Sequence, residues 1–218
     1  ILELGRRDTF AATVRRLHDA LRPEYERYPH VVEIARSWGM ALDQMAAIDR
    51  MEGDLDAALA HYEASQQVFE SLFADQTGDT QVQRDIAVGF TKIAQIRVDQ
   101  GRLEEALAQY RRFLDYAEQA AASGTAHRVP RTDLAVAREW IGRLHADLGR
   151  PREALPHLLA AAALHEELVA DFPGSLRRRL GRASVLNRVG EAYLALGELA
   201  PAKHWFDRFR AAAFELAA

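Results

Sequence analysis

The stretch "GRLEEALAQY", Gly101 to Tyr110, decides how this chain is read, because its skeleton returns on a fixed pitch. "GDLDAALAHY" begins 48 residues earlier at Gly53, "GRPREALPHL" 48 later at Gly149, and "GELAPAKHWF" another 48 on at Gly197. Three positions recur: the glycine itself, an alanine five residues on (Ala58, Ala106, Ala154, Ala202) and a bulky residue nine on (Tyr62, Tyr110, Leu158, Phe206). One more step back lands on Gly5, and Pro29 and Pro173 stand three periods apart. Self-similarity at such a period marks a repeat architecture, each unit too small to bury its own apolar face.

Working outward from Gly101 gives the unit. Upstream, Ile86, Phe90, Ile93 and Arg97 fall at helical spacing with Ala87 and Ala94 beside them. Downstream, Leu103, Ala106, Leu107, Tyr110, Leu114 and Ala117 share one helical face. Gly101 between them fits the left-handed residue that ends a helix and turns the chain sharply. A small residue at Gly+5 lets the two helices cross closely, and the bulky residue at Gly+9 fills the wedge beyond. Each unit therefore reads as an antiparallel helical hairpin.

The pattern resembles the tetratricopeptide repeat. The last unit carries it best, with Leu186, Val189-Gly190, Tyr193, Ala202 and Phe206. In the third, Ile141-Gly142, Ala154 and Leu158 match, while Arg138 and His145 replace the first bulky residue and the tyrosine. In the first two, Ala46 and Ala94 stand for the glycine, and Asp49 and Arg97 occupy the tyrosine position. The unit exceeds the usual 34 residues by about four helical turns, two on each helix. Glu70, Glu118 and Glu166 replace the terminating proline, so the second helix runs on. This long form is similar to arrays in multidomain bacterial signalling proteins.

The resemblance implies an all-α fold: an α-solenoid of stacked antiparallel hairpins in a right-handed superhelix. The expected division is a leading half-repeat with linker over 1–30 and repeats over 31–78, 79–126, 127–174 and 175–218, in one continuous domain. Gly5 is expected to open an orphan second helix that Pro23 and Pro29 close. At the other end Phe206, Phe209 and Phe214 give an apolar face that further chain, or another copy, would cover.

Composition narrows the function. A formal net charge of −4 offers no electrostatic pull toward nucleic acid or an anionic membrane. The absence of cysteine removes thiolate chemistry and Cys-ligated zinc, and suits a cytoplasmic location. No apolar run is long enough to span a bilayer. "HEELV" at His165 starts like a zincin helix, but Val169 stands where the second histidine belongs. His61 and His157 lie two periods apart, as structural slots do. No phosphate loop or nucleophile elbow occurs, and Glu104-Glu105 and Glu166-Glu167 are adjacent on helices, so their carboxylates diverge. The arginines of "SLRRRLGR" point in different directions without interleaved aromatics, which reads as salt-bridged surface. Catalysis, a cofactor and a metal are therefore not expected.

The resemblance implies that the first helices of successive repeats line a concave groove for a protein or peptide. Counting back from the turn glycines gives its rows. Ten back stand Asp43, Thr91, Glu139 and Asn187; six back Ala47, Gln95, Arg143 and Glu191; three back Arg50, Val98, Ala146 and Leu194. Seven back, by contrast, all are small: Ala46, Ala94, Gly142 and Gly190. Core positions keep their class while the rows vary, which permits a particular ligand, although solvated positions drift as freely. The candidate binding residues are Asp43, Arg50, Thr91, Gln95, Val98, Glu139, Arg143, Asn187, Glu191 and Leu194. A mixed or mildly basic peptide suits their acids, and the rows do not resemble the Lys and Asn carboxylate clamp of chaperone-binding members. The competing reading is a regulatory or sensor portion of a larger bacterial signalling or effector protein.

Overall fold

The computed structural model describes the backbone of residues 2–75, 80–122 and 129–217, and side chains over 9–74, 81–122 and 131–216. Among the described residues there are nine helices and no strand. In chain order they are α1 (Leu2–Arg27), α2 (Val32–Glu52), α3 (Leu55–Asp75), α4 (Thr80–Asp99), α5 (Leu103–Ala122), α6 (Val129–Asp147), α7 (Pro151–Asp171), α8 (Leu176–Ala195) and α9 (Leu199–Ala217). The chain divides into two compact units, Ile1–Arg102 and Leu103–Ala218. In the first, α1 packs on α2, α2 on α3 and α3 on α4. In the second, each helix from α5 to α9 packs on the next, and α6 also touches α8. No described helix is long and apolar enough to cross a membrane.

The four turn glycines hold φ between 72° and 88°, and no other described residue has positive φ. Around each of them the chain closes the same pair of hydrogen bonds. Gly149 N–H donates to the Ala146 carbonyl at 2.9 Å and Arg150 N–H to the His145 carbonyl at 2.8 Å. Gly53, Gly101 and Gly197, with the residues after them, repeat the pattern. This double closure is the Schellman motif, which satisfies carbonyls a helix end would otherwise leave bare. One glycine per repeat therefore fixes where the first helix stops and how the second leaves.

The small residues seven positions before Gly53, Gly149 and Gly197 are where the helices of those hairpins meet. A Cβ added to Gly142 would lie 2.6 Å from Leu158 Cγ, and one added to Gly190 would lie 2.7 Å from the Phe206 ring. The wedge residue thus seats on the small residue of its own hairpin. In the first unit Ala46, Ala58 and Tyr62 share a buried cluster with Leu59, Ile93 and Ile96. In the second, Ala154, Leu158, Ala161, Val185, Leu186 and Val189 form the centre of the core. Burying a side chain such as Leu158, fully enclosed here, contributes roughly 1.5 to 3 kcal/mol.

The long second helices are real, α3 and α7 each running 21 residues. The amino-terminal expectation needs correcting. Gly5 sits inside α1, and α1 continues through Pro23 to Arg27. Pro23 and Asp19, whose carbonyl loses its helical donor there, are both exposed. Water can take that carbonyl, so the proline does not stop the helix.

Candidate functional site

The tyrosine position, four residues before each turn glycine in the hairpin's first helix, holds something different in each described pairing. In the hairpin of α2 and α3, Asp49 meets His61, with Oδ2 2.6 Å from Nδ1. In that of α6 and α7, the rings of His145 and His157 stack at 6.0 Å. In that of α8 and α9, Tyr193 and Trp205 pack on the same cluster. His61 and His157 are therefore structural partners of the first helix. Burial foremost, and then neighbouring arginines, hold the pKa of both His145 and His157 below the usual histidine value.

On the first-helix face of the first unit the candidate residues are already engaged. Lys92 Nζ on α4 donates to Asp43 Oδ2 on α2 at 2.5 Å, and Arg50 donates to Asp99 at 2.7 Å. Arg36 and Asp85 lie 3.8 Å apart further along. The three pairs form a ladder. Residues 36, 43 and 50 on α2 alternate plus, minus, plus, and residues 85, 92 and 99 on α4 alternate in the opposite sense. Each step is seven residues, two helical turns, so every rung falls on one face. Lys92 also lies 5.7 Å over the Tyr62 ring. Burial, and next the Asp43 carboxylate, raise the Tyr62 pKa, so its hydroxyl stays neutral. Thr91 donates to the Val88 carbonyl, while Gln95 and Val98 are half-buried beside the ladder.

The second unit differs at the same register positions. Glu139 turns down into the hairpin, 3.2 Å from His165 Nε2, and accepts from Ser184 Oγ at 3.1 Å. Arg143 lies 3.5 Å from Asp147 and 4.6 Å over the Trp140 ring. Asn187 donates to Glu191 at 2.7 Å. Between α6 and α8 a recess of about 380 Å³ opens, lined by Arg143, Asp147, Arg188 and Glu191 over a floor that includes Ala146 and Ala195. Among the described residues Arg188 has no hydrogen-bond or ion-pair partner. Leu194 stands apart from this recess, in a second of about 390 Å³ with Leu199, Phe206 and Phe209.

So Arg143 and Glu191 share one recess, Asp43 and Arg50 share one ladder, and Glu139 is drawn into the helix packing. Sequence reasoning passed over Arg36, Lys92, Asp85, Asp99 and Arg188. The ladder had a signal: charges of alternating sign at seven-residue steps, repeated 49 residues on with the signs reversed. The basic cluster is tied down: Arg178 lies over Phe172, Arg179 donates to the Glu215 carbonyl, and Arg182 pairs with Glu166 and Glu215. His165 sits against Gly181 as a packing residue, which accounts for the lone histidine of "HEELV".

No protein-family profile matches the chain, and no curated protein matches it. Solved structures do. A putative kinesin light chain from Podospora anserina with nearly identical tetratricopeptide-like repeats is 16% identical, with 93% of this chain and 96% of that one covered and a TM-score of 0.59. BtubC, from P. vanneervenii, is 13% identical over 97% of this chain and 92% of its own, with a TM-score of 0.54. At that identity the likeness is one of fold, and the fold is tetratricopeptide-like.

Proposed function

We propose that this chain is a protein-interaction module that binds peptide segments of partners on the faces of its first helices. The observation that carries the reading is the recess between α6 and α8. It brings Arg143, Asp147, Arg188 and Glu191 together at repeat positions where side chains vary, beside the turn glycine Gly149, which recurs in every repeat. A fold that keeps its packing positions uniform and diversifies one face has the material for specificity by charge and hydrogen-bond matching. In the first unit the corresponding face is covered by its own ladder, so a ligand there would have to displace ion pairs worth up to about 1 kcal/mol each.

The test is a peptide array probed with the wild-type chain, with R143E/E191K, and with R152E on the exposed start of α7. Reversing the recess charges should change which peptides are retained, and R152E should not. A folded R143E/E191K with the wild-type pattern would remove the first-helix face as the binding surface.

A further inference from the structure

The two units follow the same 48-residue grammar, so each rung of the ladder has a counterpart in α6 and α8. Arg36 and Asp85 correspond to Thr132 and Gly181, Asp43 and Lys92 to Glu139 and Arg188, and Arg50 and Asp99 to Ala146 and Ala195. The outer rung is thus deleted down to two methyl groups, and those alanines line the recess. The middle rung keeps its charges but does not close. Glu139 is held instead by His165 and Ser184. The first unit has Phe69 and Val88 at those two positions, and neither can bind a carboxylate. Gly181 makes the diversion possible, because a Cβ there would lie 2.7 Å from the His165 ring. One substitution removes the Asp85 counterpart and at the same time seats the histidine that captures Glu139.

What remains is a half-buried arginine whose carboxylate has been taken away, beside a space where the other unit carries an arginine–aspartate pair. The other charges of the recess are already used: Arg143 with Asp147, and Glu191 with Asn187. We infer that the α6/α8 recess takes a carboxylate of a bound peptide, with Arg188 as its counter-ion in the place that Asp43 fills for Lys92. The inference rests on the reading that this face binds peptides, and it specifies the chemical group. It also departs from the preference for basic ligands that the acids of the row suggest, because those acids have partners and Arg188 has none.

The experiment uses the full chain and labelled ten-residue peptides of Ala, Ser and Gly, titrated by fluorescence anisotropy at low ionic strength. One has a central Asp-Glu and blocked ends, one a central Asn-Gln with blocked ends, one the Asn-Gln centre with a free carboxyl end, and one a central Lys-Arg. A charge-assisted pair predicts at least about tenfold tighter binding of a carboxylate peptide than of the blocked Asn-Gln peptide. Whichever of the first and third binds tighter identifies a side-chain or a terminal carboxylate as the source. R188Q should abolish the preference. H165F, which borrows the residue of the first unit, should weaken it by freeing Glu139 to pair with Arg188. A146R/A195D should rebuild the outer rung, fill the recess and block binding. Equal affinity for acidic and neutral peptides, or an acidic preference that survives in R188Q, would overturn the inference. If the Lys-Arg or Asn-Gln peptide binds best and A146R/A195D blocks it, the face remains a binding surface and only the carboxylate assignment falls. No binding of any peptide would overturn both.

Discussion

Replacing Gly142 by alanine probes the contact on which each hairpin closes. The added Cβ would lie 2.6 Å from Leu158 Cγ, 2.8 Å from its Cδ2 and 3.2 Å from the Ala154 carbonyl. Leu158 is fully buried and cannot swing into solvent. Overpacking of this kind costs about 1 to 3 kcal/mol, offset by about 1 kcal/mol because alanine is the better helix former. G142A alone should therefore destabilise by up to about 2 kcal/mol. L158A alone should cost about 2 to 5 kcal/mol through lost burial and a cavity. In the L158A background the clash with leucine is gone, and only the carbonyl at 3.2 Å asks for a shift of a few tenths of an ångström. There G142A should stabilise by about 1 kcal/mol. The two backgrounds should differ by the overpacking cost, a coupling energy of about 1 to 3 kcal/mol, above the roughly 0.5 kcal/mol within which independent sites add. Urea unfolding followed by far-ultraviolet circular dichroism on the four proteins closes the cycle. Additive effects would refute the claim that the wedge residue sits on the small residue seven before the turn.

Three further expectations concern other parts of the molecule. His145 and His157 are held neutral by burial, with Arg111 and Glu104 of α5, Arg138 of α6, and Arg150 and Glu153 at the start of α7 around them. The unfolded chain therefore binds more protons below about pH 6.5, stability falls as pH drops through that value, and H145Y/H157W should show a flatter urea midpoint between pH 7.5 and 5. Gly149→Ala should cost about 1 to 2 kcal/mol from its positive φ alone, since nothing lies within 4 Å; Gly174→Ala, equally open but without positive φ, should be neutral or slightly stabilising in the same melts. A double-mutant cycle of D43N and K92M should give a coupling of about 0.5 to 1 kcal/mol at low salt, largely lost in 1 M NaCl, where the screening length is about 3 Å.

Much of the fold could be read in advance because it depends on short-range rules repeated at a fixed interval. Gly53, Gly101, Gly149 and Gly197 each mark a helix end through backbone freedom alone, and the small and bulky residues around them report how two neighbouring helices meet. The site was harder, because its groups are set by choices among partners far apart in the chain. Glu139 has Arg188 across the face and His165 beneath it, and nothing within either helix says which it takes. The choice turns on the missing side chain of Gly181, 42 residues from Glu139. The alternating charges of α2 and α4 were visible, but their meaning depended on how the two helices sit side by side. The departures at Asp49 and His145, by contrast, looked like decay of the repeat and turn out to be partnered across their hairpins by His61 and His157.

Those partnered departures bear on how a tandem chain avoids assembling out of order. Its units share their turns and packing positions, so a first helix could in principle close on the wrong second helix while the chain is still folding. The interior pairings penalise that error. Asp49 set against Trp205 would enclose a carboxylate with no cation. A shuffled or duplicated array built by cutting between helices should therefore misfold more readily than one cut between whole hairpins. The same logic makes the intact hairpin the natural unit for recombination in this chain.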